Sequence, residues 1–87
     1  MKIAVWDTYV KRTNGLLMHF DILVSDTLKN KNIVLEYGKK YLASKPFETL
    51  DLTSEECRFC HINQASWEIT EKIKAYGYAI IEMENCE

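Results

Sequence analysis

The chain has 87 residues, of which 47% are hydrophobic and 28% are charged, and its formal net charge is -2. This length has room for one domain, residues 1–87, and the composition is that of a folded protein rather than a disordered one. A slightly acidic chain offers no broad basic face, so neither nucleic acid nor a membrane surface is an expected partner.

The N-terminal residues predict no export signal, because Asp7 follows the start before any long apolar run. No later stretch is long and apolar enough to span a bilayer. We therefore expect a cytoplasmic protein. In that reducing compartment the three cysteines are expected to be thiols, and their odd number also argues against a disulfide framework.

Two strand patterns open the chain. Lys2 to Val10 and Leu16 to Val24 are rich in β-branched and aromatic residues, and Asn14-Gly15 between them predicts a hairpin with a two-residue loop. That loop implies the pairs Tyr9–Phe20, Asp7–Ile22 and Val5–Val24. The predicted core face then carries Ile3, Val5, Tyr9, Met18, Phe20, Ile22 and Val24. The predicted opposite face carries Trp6, Thr8, Val10, Leu17, His19, Asp21 and Leu23.

The middle of the chain predicts a helix over about 30–44, with apolar residues at helical spacing. Gly38 lies beside the inner stripe, where the lack of a side chain allows a close approach to the sheet. Ser44-Lys45-Pro46 ends the helix, because the residue before proline avoids helical geometry.

Next, alternation over residues 48–53 predicts a short strand. Thr53 to Glu56 has the form of a capping box, so we expect a helical turn to carry the cysteines. Ser66 and Gly77 bound a second predicted helix with Ile69, Ile73 and Tyr76 as its buried stripe. Tyr78 to Met83 is the last predicted strand.

The resulting order is β-β-α-β-α-β. It predicts an α+β fold with two main helices and a four-stranded mixed sheet, in which strands two, three and four are parallel and strand one is antiparallel. Strands three and four would then end at one edge of the sheet, immediately before Cys57 and Cys86. All three thiols are expected there.

The segment from Glu56 to His61 holds the strongest chemical motif, Cys-x-x-Cys-His. Zinc takes thiolate and imidazole ligands in a tetrahedron, and Cys-x-x-Cys is the commonest half of such a site. The predicted metal ligands are Cys57, Cys60, His61 and Cys86, with His19 or water as alternatives to His61 for the fourth position.

Three other interpretations of the motif remain open. Cys57 at the start of a helical turn would have a lowered thiol pKa and suit redox chemistry. Covalent haem attachment uses the same motif but requires export, which the N-terminus does not predict. The cysteines can also be small apolar residues of the core, since free cysteine is often buried.

His19 and Asp21 are the candidate catalytic pair, because residues two apart on a strand project from one face. A carboxylate that orients an imidazole suits general-base catalysis, while the alternative is a hydrogen-bonded surface pair. Asp7 is a third candidate. The predicted register places it on the core face, so it lies at a wet margin, or is buried with a raised pKa, or the register is wrong by one.

Trp6, Val10, Leu17 and Leu23 form a predicted apolar patch on the face opposite the core. A contiguous exposed apolar patch usually marks an interface, so this Trp6 face is a candidate homodimer surface. The alternative is that a helix covers it.

Four segments in order also resemble the small bacterial family known as domain of unknown function 2024. They are Trp6 to Val10, Met18 to Asp21, Thr53 to His61 and Met83 to Cys86, and the resemblance covers nearly the whole chain. It implies a stand-alone domain with these motifs and brings no activity or ligand with it.

The function we expect is a non-catalytic binding module whose Cys/His cluster holds a divalent metal, with zinc as the expected ion. The first alternative is a small enzyme, either a thiol redox enzyme using Cys57 or a hydrolase using His19 and Asp21. The second is an interaction domain without chemistry, and the sequence names no protein partner for it.

Overall fold

The computed structural model describes residues 1–87 and contains four strands and two helices in the predicted order. The strands are β1 (Lys2–Lys11), β2 (Leu17–Ser25), β3 (Cys57–Gln64) and β4 (Ala79–Glu84). The helices are α1 (Lys31–Ala43) and α2 (Trp67–Tyr76). The α+β fold class and the order of elements are therefore confirmed.

The strand order in the sheet is β3-β1-β2-β4, and every neighbouring pair is antiparallel. The prediction of a mixed sheet with parallel neighbours is therefore wrong. It assumed that each helix joins adjacent strands, as in a simple crossover unit. Instead β2 and β3 run in the same direction with β1 between them, and α2 links the two edge strands, which run in opposite directions.

The hairpin between β1 and β2 has a three-residue loop. Arg12 donates its N–H to the carbonyl of Leu16 at 2.8 Å, which closes the strands around Thr13, Asn14 and Gly15. Gly15 adopts φ +93°, the left-handed conformation that three-residue hairpins require at this position. The extra loop residue moves the register by one from the prediction, so that Asp7 pairs with Asp21 and Tyr9 with His19.

This shift exchanges the two faces of the sheet, since strand side chains alternate. The face packed against α1 carries the buried residues Ala4, Trp6, Thr8, Val10, Met18, Phe20, Ile22 and Val24. The predicted core face was thus correct for β2 but wrong for β1, where Tyr9 is exposed. The other face holds a smaller apolar cluster of Ile3, Val5, Leu23, Ile73 and Ala79, which α2 covers.

The helices begin and end close to where the sequence predicts. Asn30 caps α1, and Ser66 caps α2 by accepting from the Ile69 N–H at 3.2 Å. Gly77 ends α2 in the left-handed conformation. Tyr76, predicted to be buried, is exposed, because the stripe that faces the sheet is centred on Ile73.

The segment before β3 differs most from the prediction. Residues 48–53 form no strand and contribute only an isolated bridge between Thr49 and Arg12. The capping box forms as expected, with the Glu56 carboxylate accepting from the Thr53 N–H at 2.8 Å, but it ends in a turn rather than a helix. The cysteine motif therefore lies on β3, an edge strand.

Candidate metal centre

Three side chains with metal-binding atoms converge on the face of the sheet that α2 only partly covers. Asp7 on β1 lies opposite Asp21 on β2, and His19 lies two residues before Asp21 on the same face. One ligand atom from each residue lies within 4.8 Å of the others. The register alone produces this cluster, because a one-residue shift of β1 would send Asp7 to the opposite face.

His19 lies between the two carboxyl groups. Its Nε2 is 3.6 Å from Asp21 Oδ1 and 3.8 Å from Asp7 Oδ1, both longer than an ordinary hydrogen bond. The side chains of His19 and Asp21 are only 16% and 15% exposed, whereas that of Asp7 is 37% exposed. The cluster therefore sits at the margin of the core with one side towards solvent.

Two atoms of the cluster are buried without a hydrogen-bond partner, His19 Nε2 and Asp21 Oδ1. Buried polar atoms are nearly always satisfied, because an unmade hydrogen bond in a low dielectric is costly. Both unpartnered atoms face the middle of the cluster, since each lies within 4 Å of an atom of another member. A cation in the middle of the cluster would bond to both atoms and satisfy them.

The two carboxyl groups have pKa values displaced in opposite directions. Burial, and then the neighbouring Asp7 carboxyl, raise the pKa of Asp21 to about 6. The pKa of Asp7 is lowered, chiefly because Asp21 can donate a hydrogen bond to it when protonated. The pair therefore holds one proton at weakly acidic pH, shared between the two carboxyl groups, and Asp21 is the more readily protonated of the two.

Tyr9 and Cys60 border the cluster. The Tyr9 ring stacks on the His19 imidazole, with ring centroids 4.0 Å apart and planes at 11°, which restricts the orientation of the imidazole. The Cys60 thiol lies beside Asp7; partial desolvation, followed by that carboxylate, raises the pKa of Cys60. His61 Nδ1 is 3.1 Å from the Cys60 sulfur. The irregularity in the β1–β3 pairing puts both Cys60 and His61 opposite Val5, on this same face.

Next to Asp7 the surface forms an open hollow of about 400 Å³. Its lining residues are Asp7, Tyr9, Glu55, Glu56 and Arg58. The hollow gives solvent and small solutes a path to the Asp7 side of the cluster.

The residues predicted as zinc ligands are not gathered by this fold. Cys57 is fully buried on the α1 side of the sheet, where Thr8 Oγ1 is 3.5 Å from its sulfur. Cys86 is buried on the α1 side as well, but next to β2, where its thiol donates to the His19 carbonyl at 3.3 Å. Two strand spacings, roughly 10 Å, separate β3 from β2. Cys60 and His61 are on the opposite face.

The remaining candidates fall in different places. His19, Asp21 and Asp7, predicted as catalytic candidates, are the three that the structure brings together. Burial raises the pKa of Cys57, opposite to the lowering that the redox interpretation requires. Trp6 and Val10 are buried against α1, whereas Leu17 and Leu23 lie on the other face of the sheet, so the four residues of the predicted Trp6 face do not form one exposed patch. Self-association itself stays a prediction.

Sequence reasoning identified all three members of the cluster but not their convergence. The pattern His-x-Asp already placed two of them on one face, and Asp7 was anomalous on a predicted core face. The third explanation considered for that anomaly, a register wrong by one, is the correct one. The hairpin loop was the one feature of the sequence that could have indicated the correct register, because Gly15 suits a three-residue loop with a left-handed third position.

The donor set can hold a divalent cation. Two carboxylate oxygens and one imidazole nitrogen are ligands for zinc and for other first-row ions, and three protein ligands leave coordination positions open. Around tetrahedral zinc, ligand atoms are about 3.4 Å apart, as follows from bonds of about 2.0–2.1 Å. The two separations from His19 Nε2, 3.6 and 3.8 Å, need only a small contraction to reach that value.

Comparisons with known proteins give the following findings. The sequence model of a family described as "Domain of unknown function (DUF2024)" matches residues 1–83. The chain is also similar to the NMR structure of protein NE1680 from Nitrosomonas europaea, a structural genomics target, with 44% sequence identity and a TM-score of 0.86. That similarity covers 100% of both chains. No curated protein matches the sequence. Neither helix is long and apolar enough to cross a membrane.

Proposed function

Given that this chain belongs to the DUF2024 family, whose description names no activity, we propose that it is a binding module that holds one divalent metal ion at Asp7, His19 and Asp21. The observation that carries the proposal is the pair of buried, unpartnered atoms, His19 Nε2 and Asp21 Oδ1. A cation between them and Asp7 would bond both atoms and neutralise the two carboxylates.

The chemistry of the three donors favours a first-row transition ion or zinc over calcium. Calcium takes six to eight oxygen ligands, whereas this cluster supplies a nitrogen and few oxygens. Zinc is the first choice, because it accepts imidazole and carboxylate in low coordination numbers. Water from the neighbouring hollow would fill the remaining positions.

The residues around the cluster support a stable site. Tyr9 stacked on His19 limits rotation of the imidazole, and ligand orientation is what outer residues contribute to metal affinity. Cys60 and His61, two of the four residues first expected to bind metal, border the cluster rather than belong to it. Desolvation and the Asp7 carboxylate raise the pKa of Cys60, which disfavours the thiolate that a metal ligand requires.

The two enzymatic alternatives are less well supported. A redox role for Cys57 conflicts with its complete burial and raised pKa. A metal-free His19–Asp21 general base lacks a hydrogen bond between its two members, whose polar atoms are 3.6 Å apart. A cytoplasmic location belongs to the proposal as well, and it is supported by the three free cysteines.

Metal titration of untagged protein tests the proposal. Isothermal titration with Zn²⁺, followed by elemental analysis, is expected to give one ion per chain. The variants Asp7→Asn, His19→Gln and Asp21→Asn are each expected to weaken binding about tenfold or more. Asp51→Asn is the matched control for the carboxylates, because Asp51 is exposed and outside the cluster.

His61→Gln is the matched control for His19, since the chain has two histidines. It also separates the two possible ligand sets. The proposal would be contradicted if His19→Gln bound Zn²⁺ normally while binding was lost in His61→Gln, Cys57→Ser and Cys86→Ser. That result would show that the cysteines and His61 are the ligands. A stoichiometry well below one ion per wild-type chain would contradict both ligand sets.

A further inference from the structure

The outer edge of β3 is open. β3 is an edge strand of the sheet, and every residue of it from Arg58 to Gln64 is exposed, so no helix or loop covers this edge. An edge strand turns a row of backbone N–H and C=O groups away from its sheet, and these groups can pair with another strand. At the end of β3 the Asn63 side chain accepts from the Gln64 N–H at 2.8 Å, which satisfies that donor locally. The stretch open to pairing is therefore residues 58–63.

β4, the strand at the other edge of the sheet, is protected against such pairing. It carries Glu82 and Glu84, so pairing of two β4 strands would bring four carboxylates together. Tyr41 and Lys45 also donate to the Glu82 carboxylate and hold the end of α1 beside this strand. β3, in contrast, has no lysine and no proline, and Arg58 is its single charged residue. β3 thus lacks the charges that usually keep an edge strand unpaired.

Two exposed apolar side chains of β3 lie on one face because of the irregularity in the β1–β3 pairing. Phe59 pairs with Trp6 and Ile62 with Ala4, and both partners belong to the core on the α1 side of the sheet. In a regular strand, residues three apart would lie on opposite faces. Phe59 is 52% exposed and Ile62 is 45% exposed. One face of a partner strand would cover both.

The open stretch of β3 is complementary to itself. In antiparallel pairing about a two-fold axis between Cys60 and His61, Phe59 of one chain lies opposite Ile62 of the other. Each apolar side chain then meets an apolar side chain, and Arg58 lies opposite Asn63, so no like charges face each other. The two joined sheets would have β4 at both outer edges, where the glutamates prevent further pairing.

We propose that the protein associates with a second copy of itself through β3, as a symmetric antiparallel strand pair that joins two sheets into one. The symmetric register favours a second copy over a strand of another protein, because the same six positions supply both halves of every apolar contact. The interface is at the small end of the range for specific complexes, so the dimer is weak and forms at about 0.1–1 mM. The surface does not include Asp7, His19 or Asp21, so the proposal is independent of metal binding.

Analytical ultracentrifugation in the presence of a chelator tests self-association. Wild-type protein is expected to change from monomer to dimer as its concentration rises to about 1 mM. Ile62→Lys places an ammonium group opposite Phe59 of the other chain and is expected to weaken dimerisation about tenfold or more. Ile81→Lys is the matched control, because Ile81 is 41% exposed and lies on β4, the opposite edge strand. It is expected to dimerise as the wild type does.

Isotope-filtered NMR on an equal mixture of labelled and unlabelled wild-type chains locates the contact without depending on any variant. The expected result is NOEs between the Phe59 ring of one chain and the Ile62 methyl groups of the other. A dimer without these NOEs, or equal weakening by the two lysine variants, would overturn the proposal. A protein that is strictly monomeric at about 1 mM would overturn it as well and would leave the β3 edge to a strand of a different protein.

Discussion

Asp7 lies directly opposite Asp21 in the antiparallel pairing of β1 and β2, and both carboxyl groups approach the same imidazole nitrogen. Like charges at such a distance cannot both ionise without cost, so the pKa values of the two groups separate. That of Asp21 rises to about 6 and that of Asp7 falls. The stability and the metal affinity of the protein should both depend on this separation.

Asp21→Asn should remove a pH dependence of stability. With a pKa raised from 3.8 to about 6, Asp21 binds more protons in the folded than in the unfolded state between these values. Its contribution is complete below pH 3.8 and is lost as the pH rises through 6. Metal-free wild-type protein should therefore lose thermal stability between pH 4 and 6, and Asp21→Asn should have the higher Tm at pH 7.

The measurement is Tm by circular dichroism across this pH range, in the presence of a chelator. Asp7 acts in the other direction, because its lowered pKa contributes stability that is lost only as the pH falls below its usual value. Asp21 is therefore responsible for the expected change in Tm between pH 4 and 6. Asp51→Asn should keep the wild-type slope, and a flat wild-type profile would refute the assignment.

Metal affinity should fall in acid. A cation at the cluster needs both carboxylates ionised, so binding must displace the proton held by Asp21 below pH 6. The Kd for Zn²⁺ should rise about tenfold for each pH unit below 6, in proportion to one displaced proton. Calorimetry in buffers of different ionisation enthalpy counts the released protons. Proton release of zero at pH 5.5 would be incompatible with this site.

Cys57→Ser should destabilise the fold without changing metal affinity. The Cys57 side chain is fully buried among apolar neighbours, and a serine hydroxyl there is costlier to bury than a thiol. We expect a loss of about 1–2 kcal/mol in the free energy of unfolding by urea denaturation. Cys60→Ser, at an exposed position on the opposite face of the same strand, should change stability by less than about 0.5 kcal/mol. Similar losses in both variants would contradict the burial difference.

Gly77→Ala should destabilise the protein more than Gly15→Ala. Both glycines have φ near +90°, so alanine is strained at either position. At Gly77 a Cβ would also lie 2.5 Å from the Tyr37 hydroxyl oxygen, whereas nothing lies within 4 Å at Gly15. We expect about 1–2 kcal/mol for Gly15→Ala and at least about 1 kcal/mol more for Gly77→Ala. Equal free energies of unfolding would show that Tyr37 moves away without cost.

Local patterns in the chain were enough to predict most elements. The apolar spacing, the Ser66 cap and the left-handed Gly77 located α2, and the β-branched runs located β1 and β2. These signals depend on neighbours in sequence. The prediction of a strand at 48–53 was wrong because an alternating pattern also fits an irregular segment that buries Leu52 against the core.

The position of the site was decided by pairings between distant residues. His19-x-Asp21 is a local pattern, and it correctly placed two side chains on one face. The addition of Asp7 depended on one loop residue. The separation of Cys57 from Cys60 depended on the motif lying on a strand rather than on a helical turn. A strand has a side-chain period of two, so a shift of one residue in register reverses every orientation. Composition and spacing determined which residues carry chemistry, and only the assembled sheet decided which of them meet.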